Sequence, residues 1–274
     1  MCIGDRAFND AYVGAEGRIK GNTQTVYVLA LAFGLLSEER QAQAVEYLVD
    51  DIRIRNWHLS TGFVGTKDLM ATLTRFGRTN VAFALFHNKT FPSWGFSIEH
   101  GATSIWERWD GWTPEKGFQD PGMNSFAHYS FGAVAEWMFK TIGGIDTDGP
   151  AYKRIVIRPR PDGRLAWAKT SYDSIGGEIA TSWKIRKATY RGGWDLSWHP
   201  LIGRGKGITQ LSLDVTIPAN TTAIVYVPTA DAAGITEGGR SAMDSPGVQF
   251  VGTDGDNAMF EIGSGRYAFK SEMP

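Results

Sequence analysis

From Thr23 to Leu36 apolar residues fill nearly every position and leave no polar face, a pattern that predicts a helix buried on most sides. Gly34, near its end, loosens the last turn. The next segment is patterned differently. Ser37-Glu38-Glu39 offers a cap with acids in the first turn, and Val45, Leu48, Val49 and Ile52 line one face, so a more exposed helix is expected. The alternation continues with Asp68 to Phe76 stopped at Gly77, Thr79 capping Asn80 to His87, and Asn124 capping Ser125 to Lys140. Helical hairpins follow one another.

Gly143-Gly144 ends that series and Asp148-Gly149-Pro150 reads as a linker. Beyond it the period becomes two. Arg154 to Arg158, Glu178 to Lys184, Trp194 to Trp198, Leu211 to Ile217, Ala223 to Val227 and Met259 to Ile262 are short β-rich runs between turn residues. The expected fold class is therefore α+β in two domains: helical hairpins over 1–148, then an antiparallel β-sandwich over 149–274.

With 274 residues and 42% hydrophobic content, the chain can bury real cores. Its 28 basic residues balance 29 acidic ones, which argues against nucleic acid or an anionic membrane as partner and suits a neutral ligand. Cys2 is the only cysteine, so neither an intrachain disulfide nor a cysteine-based metal site is available. No apolar signal core opens the chain, and the longest apolar run, Val26 to Leu36, is short for a membrane span, so a cytoplasmic location is expected. No metal-loop or nucleotide-binding pattern appears, and no cofactor or metal is expected.

Four of the ten tryptophans, Trp94, Trp106, Trp109 and Trp112, fall in one Gly- and Pro-punctuated region. Within it Glu107 stands between Trp106 and Trp109, with Arg108 beside it and Asp110 close behind. Indoles can cover the apolar face of a pyranose ring while carboxylate, guanidinium and imidazole groups satisfy its hydroxyls. The same tryptophans could instead plug a helical layer while Glu107 pairs with Arg108 in solvent. Asp110 and Glu115 read as loop or solvated acids rather than catalytic ones.

Five segments carry a resemblance when taken in order: Gly17-Arg-Ile-Lys-Gly-Asn-Thr-Gln-Thr25, Gly62-Phe-Val-Gly-Thr66, Phe91-Pro-Ser-Trp-Gly95, Trp106-Glu-Arg-Trp-Asp-Gly111 and Met123-Asn-Ser-Phe-Ala-His-Tyr129. Together they resemble bacterial α-L-rhamnosidases of glycoside hydrolase family 78, and Ile155 to Pro161 and Ile217 to Asn220 resemble that family's trailing β-domain. The resemblance covers only the C-terminal half of such an enzyme. It implies an (α/α)6 barrel of six hairpins, of which the first domain would be the second half, since helices of ordinary length give only about five or six in so short a stretch.

The resemblance further implies hydrolysis of terminal α-L-rhamnose from glycosides by inversion, with Glu107 as general base and His128 against the sugar hydroxyls. Trp94, Trp106, Trp109 and Arg108 are the other candidate sugar contacts, with a guanidinium that could fold back toward Glu107. Glycosidases ordinarily need a second carboxyl as general acid. The family's lies on an upstream segment not found here, so this chain alone is expected to be inactive, and to form an oligomer or associate with the missing half through bare apolar faces of helices such as Thr23 to Leu36. Two alternatives stay open: a non-catalytic carbohydrate-binding or structural remnant, and another six-hairpin exo-glycosidase. A second carboxylate about 6.5–9.5 Å across the pocket from Glu107 would separate the remnant from an inverting enzyme.

Overall fold

The computed structural model describes residues 3–187 and 209–273. They fall into two compact units, Met1–Trp137 and Met138–Pro274. The first is helical: α1 (Ile3–Tyr12), α2 (Gln24–Ala32), α3 (Glu38–Ile54), α4 (Phe63–Arg75), α5 (Thr79–Phe86), α6 (Trp94–Glu99) and α7 (Val134–Trp137), with a small ribbon of β1 (Trp112–Thr113) and β2 (Gly117–Phe118) before α7.

α2 packs between α3 and α4, and α4 also meets α5 and α7. Inner helices α2 and α4 are thus each paired with an outer helix, as in hairpins laid side by side. Thr23 caps α2 by accepting the Val26 amide, and the helix closes through Gly34 in the left-handed region, which glycine adopts without strain. On α3 the expected face is the buried one, Val45, Leu48, Val49 and Ile52 together with Ala44. Ser37 precedes that helix but makes no side-chain cap bond, so Glu38 and Glu39 are what favour its N-terminus. Thr79 is likewise the first residue of α5 rather than its cap, which is Arg78.

Two helices differ from expectation at their starts. α4 begins at Phe63, five residues before the expected Asp68, so Phe63-Val-Gly-Thr66 forms its first turn. Gly65 is there for closeness: a Cβ would stand 2.7 Å from Thr25 Oγ1 and 2.9 Å from Thr61 Cγ2, so α4 sits against α2 at a distance only glycine permits. The helix expected over Ser125 to Lys140 starts later, as a 3-10 turn (Ser130–Ala133) leading into α7. Its expected first turn is diverted. Ser125 O accepts the Glu107 amide at 2.8 Å and His128 N donates to Ile105 O at 2.8 Å, so the main chain of 125–128 pairs with 105–107 instead of with itself. Asn124 accordingly caps nothing; its Nδ2 donates to Asp120 O, and its buried Oδ1 has no partner among the described residues.

The expected bare strip on α2 is narrower than the sequence suggests. Tyr27, Val28, Ala30 and Leu31 are buried, Val26 and Leu29 half-buried, and Phe33 67% exposed. Other large apolar side chains of this unit are exposed too, including Ile54, Val64, Phe118 and Tyr129. No helix among the described residues is long and apolar enough to cross a membrane, and no group of three or more His, Cys, Asp or Glu there is placed to hold a metal ion.

The second unit opens with a π-helical turn (Met138–Gly143) and is otherwise β. Its strands are β3 (Ile145–Thr147), β4 (Arg154–Ile157), β5 (Trp167–Ser174), β6 (Gly177–Lys187), β7 (Thr209–Ile217), β8 (Thr222–Pro228), β9 (Thr236–Glu237), β10 (Arg240–Ser241), β11 (Val248–Asp254), β12 (Asn257–Ile262) and β13 (Gly265–Met273). A six-stranded sheet runs β10-β9-β13-β7-β6-β5 and a five-stranded one runs β11-β12-β8-β4-β3. Every pair is antiparallel except β4 with β8, which run parallel. Alternate residues of both sheets fill the space between them, where Phe260 of one and Phe269 of the other stand 5.7 Å apart. Trp183 is 1% exposed there, and its indole N–H donates to Ile142 O at 2.7 Å. The strand expected over Trp194 to Trp198 lies outside the described residues.

Candidate active site

Glu107 owes its position to the pairing of residues 105–107 with 125–128. Its amide donates to Ser125 O, and its Oε2 accepts the Ser125 amide at 2.6 Å, so carboxylate and main chain clasp the same residue. Ser104 Oγ donates to Phe126 O and extends the pairing. Oε1 of Glu107 has no hydrogen-bond partner among the described residues. The carboxylate is therefore oriented through one oxygen and open at the other. Arg108 does not fold back to it. Its guanidinium makes a two-pronged pair with Asp110, Nε to Oδ1 at 2.9 Å and Nη2 to Oδ2 at 3.0 Å, which also gives Asp110 a local structural role.

His128 sits in the irregular segment before the 3-10 turn, not at the start of a helix. Its ring stacks on Phe63 at 4.8 Å and 10°, and on Tyr129 at 5.3 Å and 8°. Nδ1 faces the Ser130 amide at 3.4 Å, which leaves Nε2 as the ring's outward polar atom. Phe63 was hidden from sequence reasoning because the apolar pattern starts the helix only at Asp68. On the first turn of α4 it becomes the platform that fixes the imidazole plane.

The tryptophans divide into two packed groups. Trp94 is 8% exposed on α6, donates its indole N–H to Phe131 O at 2.9 Å, and meets Trp109 edge to face at 5.3 Å. Trp109 stacks flat on Phe131 at 3.9 Å and donates to Thr61 O at 2.9 Å. Phe131 in turn touches Phe63 at 5.4 Å, so an aromatic chain runs from Trp94 to the His128 platform. Trp106 belongs to the other group, against Phe126 at 5.5 Å. Trp94, Trp106, Trp109 and Arg108 share a cavity of about 310 Å³ with Ile98, Ile105 and Phe131. Glu107 and His128 are not among its lining residues. Three tryptophans and the arginine are thus gathered at one apolar hollow, while the candidate base and histidine are set by their own main-chain pairing.

The segment Phe91 to Gly95 supports this arrangement. Ser93 caps α6 by accepting the Phe96 amide at 2.9 Å, which delivers Trp94 to Phe131. A Cβ on Gly95 would fall 2.3 Å from Asn88 O and 3.1 Å from Lys89 Cα, both main chain. Gly95→Ala is expected to lower stability by about 1–3 kcal/mol, the usual cost of overpacking, measured by chemical denaturation. Unchanged stability would show that the Asn88 turn moves freely. Gln24 plays a similar anchoring part in the first segment. Fully buried at the start of α2, it bonds Asp51 Oδ2, His58 O and the Ser60 amide, which satisfies the whole amide group and ties down the approach to α4.

Comparison with known proteins identifies the family of the fold that carries these residues. Residues 5–142 match the bacterial alpha-L-rhamnosidase six-hairpin glycosidase domain, and residues 144–195 match the bacterial alpha-L-rhamnosidase C-terminal domain. An alpha-L-rhamnosidase of Streptomyces avermitilis is 40% identical over 96% of this chain, and one of Formosa agariphila is 34% identical over 97%. The chain spans only 23% and 27% of those two relatives' lengths. Among solved structures, the Streptomyces avermitilis alpha-L-rhamnosidase complexed with L-rhamnose superimposes with a TM-score of 0.83 at 38% identity, over 97% of this chain and 23% of its own. The native enzyme from Aspergillus terreus follows with a TM-score of 0.76 at 27% identity, over 97% and 26%. By its fold and by both domain matches, the chain belongs to the bacterial α-L-rhamnosidases, with a six-hairpin glycosidase region followed by their C-terminal β-domain.

Proposed function

We propose that this chain is the C-terminal part of an enzyme that removes terminal α-L-rhamnose from glycosides with inversion, Glu107 acting as general base and a carboxyl from an upstream barrel segment acting as general acid. The observation that carries this is the asymmetric holding of Glu107: Oε2 is engaged by the Ser125 amide and Oε1 is left to accept. A base of this kind takes a proton from water as that water attacks the anomeric carbon from the face opposite the departing oxygen. The acid gives a proton to that oxygen as the glycosidic bond breaks. His128, its plane set by Phe63 and Tyr129, presents Nε2 to a sugar hydroxyl. Trp106, Trp109, Trp94 and Arg108 line the hollow beside this site and complete the substrate contacts. The exposed apolar side chains of the helical unit are the surface that the rest of the barrel covers, so the chain by itself is recovered associated.

The test joins this chain to the preceding barrel half of the Streptomyces avermitilis relative and follows an aryl α-L-rhamnoside by proton NMR. The completed chain is expected to cleave it and to release the β-anomer of rhamnose first, whereas residues 1–274 alone leave it intact. First release of the α-anomer would overturn inversion. Robust cleavage by residues 1–274 alone would place the acid within this sequence, with Asp110 the first position to mutate.

A further inference from the structure

The outer face of the six-stranded sheet gathers positive charge at its centre. Side chains alternate along each strand, and Thr181, Trp183, Leu213, Val215 and Phe269 are buried between the sheets, so their neighbours face outward. The register sets three outward rows. Trp167 lies opposite Lys184, followed by Ser212 and Lys270; Lys169 lies opposite Ser182, followed by Asp214; Ser171 lies opposite Ala180, followed by Thr216 and Arg266. Lys169, Lys184, Lys270 and Arg266 are four exposed cations against the single acid Asp214, and none of the five has an ion-pair or hydrogen-bond partner among the described residues. Beyond these rows the balance changes. Asp173 faces Glu178 at one end, and Arg186 and Glu272 flank Gln210 at the other. In a chain with 28 basic and 29 acidic residues, an excess of three positive charges over one patch is a segregated local field that draws anions.

Within the patch lies a hollow of about 440 Å³, floored by Ala180 and Ser182 on the middle strand between Lys169 and Asp214. Small side chains leave room there, and Ser171, Ser182 and Thr216 give it hydroxyls. Trp167, 60% exposed, opens a flat indole beside Lys184 and two residues from Lys169. Lys184 and Lys270 are two strands apart, about 10 Å at the usual strand spacing. Cations so spaced, with hydroxyls and one acid between them, suit a polymer whose negative charges are separated by uncharged, hydroxyl-rich stretches. Duplex nucleic acid carries one charge per about 1.7 Å of its axis, and a row so dense is repelled by Asp214. An anionic bilayer is no better, since it would press on Asp173, Glu178 and Glu272 at both ends of the same face. Toward a sugar, Asp214 is an asset: it accepts hydroxyls that lysine cannot.

We propose that this face binds an acidic polysaccharide, one uronate ring lying over Ala180 and Ser182 with its carboxylate held by Lys169 and Lys184 and its hydroxyls by Asp214 and Thr216, and a neighbouring ring resting on Trp167. Lys270 and Arg266 meet the next negative charges along the polymer. The pairing of ammonium with carboxylate supplies attraction, and the indole supplies the apolar contact that a lysine cluster alone lacks. This site is built from other residues than Glu107 and His128 and holds whatever their chemistry proves to be.

The test is saturation-transfer NMR on the full chain, which reports on the sugar and tolerates an associated protein, with trigalacturonate as the acidic probe and maltotriose as its neutral counterpart. Trigalacturonate is expected to give a signal that fades as salt is raised, and maltotriose none of comparable strength. Lys169→Gln with Lys184→Gln is expected to weaken trigalacturonate about tenfold or more, and Trp167→Ala about tenfold, the effect of losing one aromatic platform. Asp173→Asn, at the acidic end of the face, and His128→Ala should leave the affinity unchanged. All of these side chains but His128 are exposed on the sheet, so the core between the sheets is untouched. Absence of a trigalacturonate signal would overturn the proposal, as would equal binding of maltotriose, or a signal that survives the lysine and tryptophan variants or disappears with His128→Ala. Tighter binding of a short DNA duplex or of phosphatidylserine vesicles, lost in the same lysine variant, would assign the face to that partner instead.

Discussion

Glu107→Gln, introduced into the chain with its barrel completed, is expected to lower kcat on an aryl α-L-rhamnoside by about a hundred- to ten-thousandfold, the range for losing a general base. KM should change little. The glutamine carbonyl can take over the Ser125 amide that Oε2 accepts at 2.6 Å, so the pairing of 105–107 with 125–128 survives. What is lost is the open oxygen: an amide N–H2 in the place of Oε1 cannot take a proton from water. An equal fall in kcat and kcat/KM is the signature of an interaction made in the transition state alone. Near-normal turnover would remove Glu107 from the base role. A large rise in KM with kcat preserved would assign it to sugar binding.

The second large effect lies in the β-unit. Trp183→Ala is expected to destabilise it by about 3–5 kcal/mol, the usual cost of emptying a tryptophan site in a core. Trp183 is 1% exposed between Ala168 on β5 and Leu213 on β7, and its indole also satisfies Ile142 O, the last turn before β3. Trp183→Phe keeps most of the packing and removes only the donor, so it should cost about 1–3 kcal/mol, the penalty of a carbonyl left without its partner. Urea denaturation followed by far-ultraviolet circular dichroism separates the two. Equal losses for both variants would show that the hydrogen bond, not the ring volume, carries the stability; a loss below about 1 kcal/mol for Trp183→Ala would show a site that collapses around the missing side chain.

The hydrophobic pattern by itself determined the kind and place of the elements that bury a full apolar face. The buried face of α3, the nearly all-round apolar α2, and the core strands β4, β6, β7, β8 and β12 are all written in period and in stop residues, because burying apolar area dominates the local choice. Strands such as β5 and β13 were less legible, since Lys169, Ser171, Arg266 and Lys270 face solvent and dilute their pattern. Glu107 and its neighbours stood out through residue type and order alone.

Tertiary structure decided how those residues are held. The need for Gly65 is invisible until Thr25 and Thr61 are seen to leave no room for a Cβ, and Phe63 gains its place under His128 only once α4 begins there. Ser125 has a good helix-start context, yet its main chain pairs with Glu107, a partner 18 residues away that no local pattern encodes. Arg108, beside Glu107 in the chain, turns to Asp110 instead. Periodicity reports which side of an element is buried. Which atom meets which is set by long-range packing, because a backbone donor or a guanidinium takes the partner that the fold, not the sequence neighbour, brings within reach.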